Sequence, residues 1–220
     1  MGGARLVLLG APGVGKGTQG RRLAERLGVL HVASGAILRR VLAEEPQSDL
    51  AQQAQVILSG GFVPDALADA LAFAELSRPE AASGFVLDGY PRNVAQAAAL
   101  DRFLAARGQG IDRVLALEAE EEELVARLSG RLTCLQCSAT YQRRTAPPRA
   151  EGVCDRCGGT LVQREDDRPA AVANRLAIYR ERTAPLVAFY CARGLLRPVD
   201  ARGAIEAVFE GVCAAVADLI

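Results

Sequence analysis

Arg5-Leu6-Val7-Leu8-Leu9-Gly10-Ala11-Pro12-Gly13-Val14-Gly15-Lys16-Gly17-Thr18 decides the fold. The apolar run Arg5 to Leu9 stops at a glycine and reads as a strand buried on both faces. Helical spacing follows from Lys16 to Leu27. A glycine-rich turn between a buried strand and a helix lets several backbone N–H groups curl toward phosphate oxygens, and the helix N-terminus adds its positive end. Lys16 then reaches the outer phosphates of a nucleoside triphosphate. Gly17 stands where Ser or Thr usually meets magnesium, with Thr18 one residue later. This disfavours GTPase switches and motor ATPases, and leaves magnesium held more by phosphates and water.

Composition sharpens the reading of Lys16. The chain has 220 residues, half of them hydrophobic, with 26 basic and 26 acidic side chains. Of the basic residues 25 are Arg and one is Lys. A compact ammonium and a planar guanidinium are not interchangeable, so a lone Lys inside a glycine-rich loop marks a position that needs the ammonium. The balanced charge gives no global basic footprint for nucleic acid. No run approaches the roughly 20 apolar residues of a membrane span. Met1 to Arg5 is too short for a secretory leader, and Leu6 sits where a myristoylation signal wants Ser or Thr. The expectation is a cytoplasmic protein.

Outward from the loop, strands are predicted at 29–32, Phe85 to Leu87, Val114 to Leu117 and Leu195 to Val199. Helices are predicted at Asn93 to Arg107, Glu120 to Leu128, Pro169 to Arg193 and Gly203 to Ile220. Alternation of this kind is α/β: a parallel phosphate-loop sheet flanked by helices. Two stretches interrupt it. Residues 33–63 are helical without a strand signal. Residues 130–167 are short, polar and turn-rich. Both read as insertions in one domain spanning 1–220.

Asp88-Gly89-Tyr90-Pro91-Arg92 follows a predicted buried strand, at the end that lines the ligand crevice of an open parallel sheet. Asp88 is placed to act on magnesium through water, and Arg92 to hold a phosphate bidentately. Arg39, Arg127, Arg131, Arg164 and Arg175 fall near insertion edges or helix ends. Dispersed positive charge of this type suits a loose phosphoryl-transfer transition state.

Cys134-x2-Cys137 and Cys154-x2-Cys157 have the spacing of a closed, structural four-thiolate metal site. Zinc suits it, with iron as the other metal. The insertion is poor in large apolar residues (Leu132, Leu135, Tyr141, Val153, Leu161, Val162), so a metal would supply stability that its core cannot. A zinc ribbon on nucleic acid, using Arg143, Arg144, Arg149 and Arg156, is the rival reading. Cys191 and Cys213 are expected as packed apolar residues.

These residues together resemble the adenylate kinase family, in its bacterial long form with a metal-bearing lid. The likeness runs through Gly10 to Gln19, Gly84 to Arg92 with Gln96, Arg127-Leu-Ser-Gly-Arg131, the four cysteines, Asp166-Asp167, Asn174-Arg175-Leu176 and Thr183-Ala-Pro-Leu186. The resemblance implies the reaction ATP + AMP ⇌ 2 ADP with magnesium, a monomer, an AMP-binding insertion at 33–63 and a lid at 130–167. Both insertions would be mobile and close over the substrates. It implies ATP contacts at Gly13, Val14, Gly15, Lys16, Gly17, Thr18, Arg131, Thr140, Tyr141 and Gly203. It implies AMP contacts at Ser34, Arg39, Gly61, Phe62, Val63, Gly89, Tyr90, Pro91, Arg92, Gln96, Arg164 and Arg175. Arg92, Arg127, Arg131, Arg164 and Arg175 would surround the transferred group, with Lys16 and Asp88. The chain departs from the family pattern at Ser34 (usually Thr), Ala36 (usually Asp), Tyr90 (usually Phe) and Leu132 (usually a second Arg). UMP or CMP as acceptor is the alternative; Gln96 favours AMP, since an amide pairs with the adenine edge.

Overall fold

The computed structural model describes residues 3–44, 46–59 and 61–219. Met1 and Gly2, on which the leader reading partly rests, lie outside these residues, as does Ile220, the expected helix end.

The chain opens with β1 (Arg5–Leu9), α1 (Lys16–Leu27) and β2 (Leu30–Ala33). Next come α2 (Ser34–Glu44), α3 (Asp49–Ala54) and α4 (Asp65–Leu76). The core resumes with β3 (Phe85–Asp88), α5 (Val94–Ala105), β4 (Arg113–Glu118) and α6 (Glu121–Ser129). Then follow β5 (Arg131–Cys134), β6 (Thr140–Gln142) and β7 (Leu161–Val162). The chain closes with α7 (Pro169–Ile178), α8 (Pro185–Cys191), β8 (Leu196–Asp200) and α9 (Ile205–Ala214).

The main sheet is parallel, in the order β2-β3-β1-β4-β8. Alternation along β1 sends Leu6 and Leu8 to one face and Val7 and Leu9 to the other. The first face packs under Leu23 of α1, Leu124 and Leu128 of α6, Leu176 of α7 and Val212 of α9. The second packs under Leu76 of α4, Leu100 and Leu104 of α5, and Leu186 and Tyr190 of α8. β1 is therefore apolar throughout because helices cover it on both sides. All five carboxyl ends open toward one crevice, where the loops after β1 and β3 meet.

The segment from β2 to α4 has its own small core of Leu38, Ala54, Ile57 and Val63, completed by Leu67 and Leu71 of α4. The segment 130–167 carries a separate antiparallel sheet, β6-β5-β7, with a cluster of Cys134, Ala139, Cys154 and Leu161. Leu132 packs against that cluster. Leu135 and Val153 are exposed.

Three expectations need correction. β2 begins one residue late because Gly28, in the left-handed region at φ 66°, caps α1, and the N–H of Val29 still donates to Ala24 O. The helix expected over Pro169 to Arg193 is broken. Pro185 has no N–H to continue the ladder, and Tyr179–Thr183 widens into a π turn closed by Ala184 N to Tyr179 O. Cys191 is exposed, since Tyr190 takes the inward position on α8, and Cys213 is half-buried.

Candidate active site

The loop between β1 and α1 is shaped by glycine. Gly10, Gly13 and Gly15 have φ of 141°, 87° and 105°. A Cβ on Gly10 would come within 2.6 Å of Leu117 O, and one on Gly13 within 2.9 Å of both Leu124 O and Leu128 Cγ. Conformation and space both demand glycine there. α1 has no side-chain cap and no acid in its first turn, so its N-terminal dipole is left for an anion. Lys16 Nζ donates to Gly10 O at 2.6 Å and Ala11 O at 3.0 Å. Burial pushes the Lys16 ammonium down to about 8; Asp88 opposes the shift, while Arg175, Arg92 and Arg131 add to it. Asp88 reaches the same place from the end of β3, where a Cβ on Gly17 would meet its Oδ2 at 3.3 Å.

Guanidinium groups converge on this point. Arg92 Nε donates to Gly89 O at 2.6 Å, and its guanidinium lies 4.6 Å from the centre of the Phe62 ring. Arg131 forms a two-pronged pair with Asp167, 2.8 and 2.5 Å. Arg175 donates to Asp166 O at 2.9 Å and Asp167 Oδ1 at 3.0 Å. Arg39 stands 4.0 Å from Asp166. Arg164 Nε donates to Thr133 Oγ1 at 2.8 Å. Arg127 pairs with Glu123 and donates to Ala201 O at 2.8 Å. Burial, first of all causes, lowers the proton affinity of Arg39, Arg92, Arg164 and Arg175. A guanidinium does not give up its proton in a protein. The shift therefore reflects the desolvation of these cations, offset in part by Asp166 at Arg39 and Arg175 and deepened by a neighbouring arginine at Arg92 and Arg164, a cost that a bound anion removes.

Asp166 and Asp167 are the residues whose role sequence reasoning missed. They are 7% and 0% exposed and hold the arginines of α7 and β5 in register. Their signal was present: two acids between Arg164 and the helix-starting Pro169.

A cleft of about 870 Å3 runs between the two insertions over the phosphate loop. It is lined by Gly13 to Thr18, Arg39, Gly61, Phe62, Asp88, Gly89, Pro91, Arg92, Arg127, Arg131, Thr140, Tyr141, Arg164, Arg175 and Gly203. Ala36 lines it too, as do Arg144 and Arg156, weighed above as nucleic-acid contacts. Ser34, Val63, Tyr90 and Gln96 lie behind this lining. Ser34 Oγ donates to Gly89 O at 2.8 Å. Val63 belongs to the small helical core. The Tyr90 ring is buried and its hydroxyl donates to Asp69 at 2.7 Å, a bond that Phe could not make. Gln96 is 2% exposed, and both ends of its amide have protein partners.

Near the outer end of the cleft, Cys134, Cys137, Cys154 and Cys157 place their Sγ atoms within 4.8 Å of one another, and none is in a disulfide. The pairs Cys134–Cys157 and Cys137–Cys154 are 3.5 and 3.6 Å apart. Four thiolates around one ion at zinc–sulfur length would stand about 3.8 Å apart. The donor set and its spacing therefore fit a tetrahedral metal. Backbone N–H groups of Gln136 and Cys137 point at Cys134, as do those of Arg156 and Cys157 at Cys154. Such bonds orient thiolate ligands from outside the metal's own shell.

The adenylate kinase family model matches residues 8–195. The chain is 46% identical over 209 residues to an adenylate kinase of Moorella thermoacetica, covering 94% of this chain and 95% of the relative. It is 44% identical over 212 residues to one of Citrifermentans bemidjiense, covering 96% and 98%. It is 43% identical over 209 residues to one of Carboxydothermus hydrogenoformans, covering 94% and 97%.

Gly13→Ala tests the loop geometry directly. The added methyl meets Leu124 O and Leu128 at a positive φ. We expect nucleotide affinity, followed by equilibrium dialysis, to fall at least about tenfold, an effect of roughly 1.4 kcal/mol or more.

Proposed function

This chain belongs to the adenylate kinase family and transfers a phosphoryl group between ATP and AMP, and on that premise we propose which of its residues carry out the transfer. Members of the family act on magnesium nucleotides. The triphosphate lies along Gly13 to Thr18 with its adenosine toward Gly203. Lys16 and the N-terminus of α1 hold the outer phosphates, and Thr140 and Tyr141 cover them from the lid. The monophosphate of AMP sits on Arg92 and Arg39, with its base against Gly61, Phe62 and Pro91. Arg127, Arg131, Arg164 and Arg175 close around the group in flight. The observation that carries this reading is the convergence of buried guanidinium groups on Lys16 and Asp88 at one end of one cleft.

Magnesium would shield charge on the donor phosphates, held through water by Asp88. The protein's own work is to line up the acceptor oxygen, replace the hydration of the phosphates with fixed N–H groups, and keep water out. Exclusion of water falls to the insertions at 33–63 and 130–167, whose residues face each other across the cleft. Cys134, Cys137, Cys154 and Cys157 would hold a zinc ion, which would stiffen the lid sheet and leave motion to its ends near Gly130 and Asp167. Gln96 and Ser34 act from behind the lining, through Arg92 and Gly89.

ATP, AMP and magnesium mixed with the protein should give two ADP for each ATP consumed, with no phosphate released. Free phosphate, or turnover only with UMP or CMP, would overturn the assignment of the acceptor. Lys16→Arg, which keeps the charge but not the compact ammonium, should lower turnover by at least about a hundredfold, read in the same coupled assay. Removal of the lid metal by a chelator should lower the thermal midpoint and raise amide exchange in residues 131–162. Unchanged exchange would contradict a structural metal.

A further inference from the structure

Arg92 is held by more than its own side chain. Its backbone N–H donates to Gln96 Oε1 at 2.7 Å, and its carbonyl accepts from Thr183 Oγ1 at 2.8 Å. Gln96 Nε2 donates to Asp65 Oδ1 at 2.9 Å. Asp65 also accepts from Asn93 Nδ2, at 3.0 Å to each oxygen, and from Arg182 Nη2 at 3.3 and 3.4 Å. Arg182 and Thr183 are neighbours in the π turn. The contacts therefore form a ring: π turn to Arg92, Arg92 to Gln96, Gln96 to Asp65, and Asp65 back to the π turn. Three separate elements meet in it, the start of α4, the start of α5 and the turn between α7 and α8.

The geometry points to Thr183 and Asp65 as positioning residues for Arg92, acting on its main chain so that its guanidinium meets the acceptor phosphate in one place. Chemistry fixes the direction of every bond in the ring. An ionised carboxylate only accepts, so the Gln96 amide must turn Nε2 to Asp65 and Oε1 to the N–H of Arg92. A flipped amide would set Oε1 against Asp65 and Nε2 against an N–H, losing both bonds. Thr183 is buried and lines the cleft, but its hydroxyl is turned to a carbonyl and not to open space. The widened turn explains how it gets there: the break before Pro185 shifts the helical register, and π turns of this type are common at functional sites. Side chain–side chain bonds are a minority in folded proteins, and here Gln96, Asn93 and Arg182 all donate to the one carboxylate of Asp65, behind the Gln96 amide that holds the N–H of Arg92. A reacting group misplaced by about 1 Å can cost a hundredfold in rate, so a shell that fixes the Arg92 peptide acts on turnover and not only on stability.

This inference rests on the reading that Arg92 holds the acceptor phosphate, and the experiment separates the two. Arg92→Gln, Thr183→Val, Thr183→Ser and Asp65→Asn are each assayed for kcat and for the KM of AMP and of ATP, with thermal midpoints. Valine has the shape of threonine without the hydroxyl. Thr183→Val and Asp65→Asn should each lower kcat/KM for AMP about tenfold, the size expected for one lost hydrogen bond that matters in the transition state. The KM for ATP should stay within about twofold, and Thr183→Ser should recover most of the loss. Wild-type AMP kinetics in Thr183→Val would overturn the proposal. So would an equal rise in the KM for ATP, or a loss that follows a fallen thermal midpoint and is not recovered by serine. Full activity in Arg92→Gln would instead overturn the reading of Arg92 itself.

Discussion

Positive charge buried without enough negative charge to match it is the constraint on which the rest of this structure depends. Lys16, Arg39, Arg92, Arg164 and Arg175 are all depressed in proton affinity, with burial as the first cause. Asp88, Asp166 and Asp167 offset part of this. Desolvated cations of one sign repel, and their burial carries that cost. Phosphate oxygens remove it. Binding energy therefore comes from relief of a strain already present, and the charges are in position before the reaction begins.

Much of the architecture serves to tolerate this arrangement. Glycines at 10, 13 and 15 allow the backbone to wrap Lys16 without side chains of its own. The Asp166-Asp167 pair ties Arg131, on β5, to Arg175, on α7. That couples the placing of the small sheet to the charge of the site. On the side of α4, Phe62 lies under Arg92 and Tyr90 is anchored to Asp69, so α4 braces the loop after β3. A soft site could not keep like charges this close; packed strands and paired side chains hold them there.

Fold and site were unequally legible in the sequence. The run Arg5 to Leu9 and the glycine spacing after it fixed the nucleotide loop, since strand burial and positive φ leave direct traces in residue type. The four cysteines were legible for the same reason. The π turn was not: Pro185 announces a break, but periodicity cannot tell a kink from a widened turn. Nor was the placing of Gln96, because its partner Asp65 is 31 residues away and only the tertiary fold brings α4 against α5. Asp166 and Asp167 were noted as a pair, yet sequence spacing could not say that they would be buried among arginines. Among 25 arginines, composition alone could not choose those of the site; position in the fold does.

The central claim is that nucleotide phosphate supplies counter-charge beyond what Asp88, Asp166 and Asp167 provide, and proton counting tests it most directly. Burial pushes the Lys16 ammonium down to about 8, and bound phosphate should raise that value well above it. Sign follows from linkage: a site that gains proton affinity on binding takes up protons between the two values. Calorimetric titration of magnesium-ATP at about pH 8.5, in buffers of different ionisation enthalpy, should show uptake of up to about three quarters of a proton per site. The uptake should vanish when Lys16 is Arg. No net uptake in the unaltered protein, or proton release, would contradict the account.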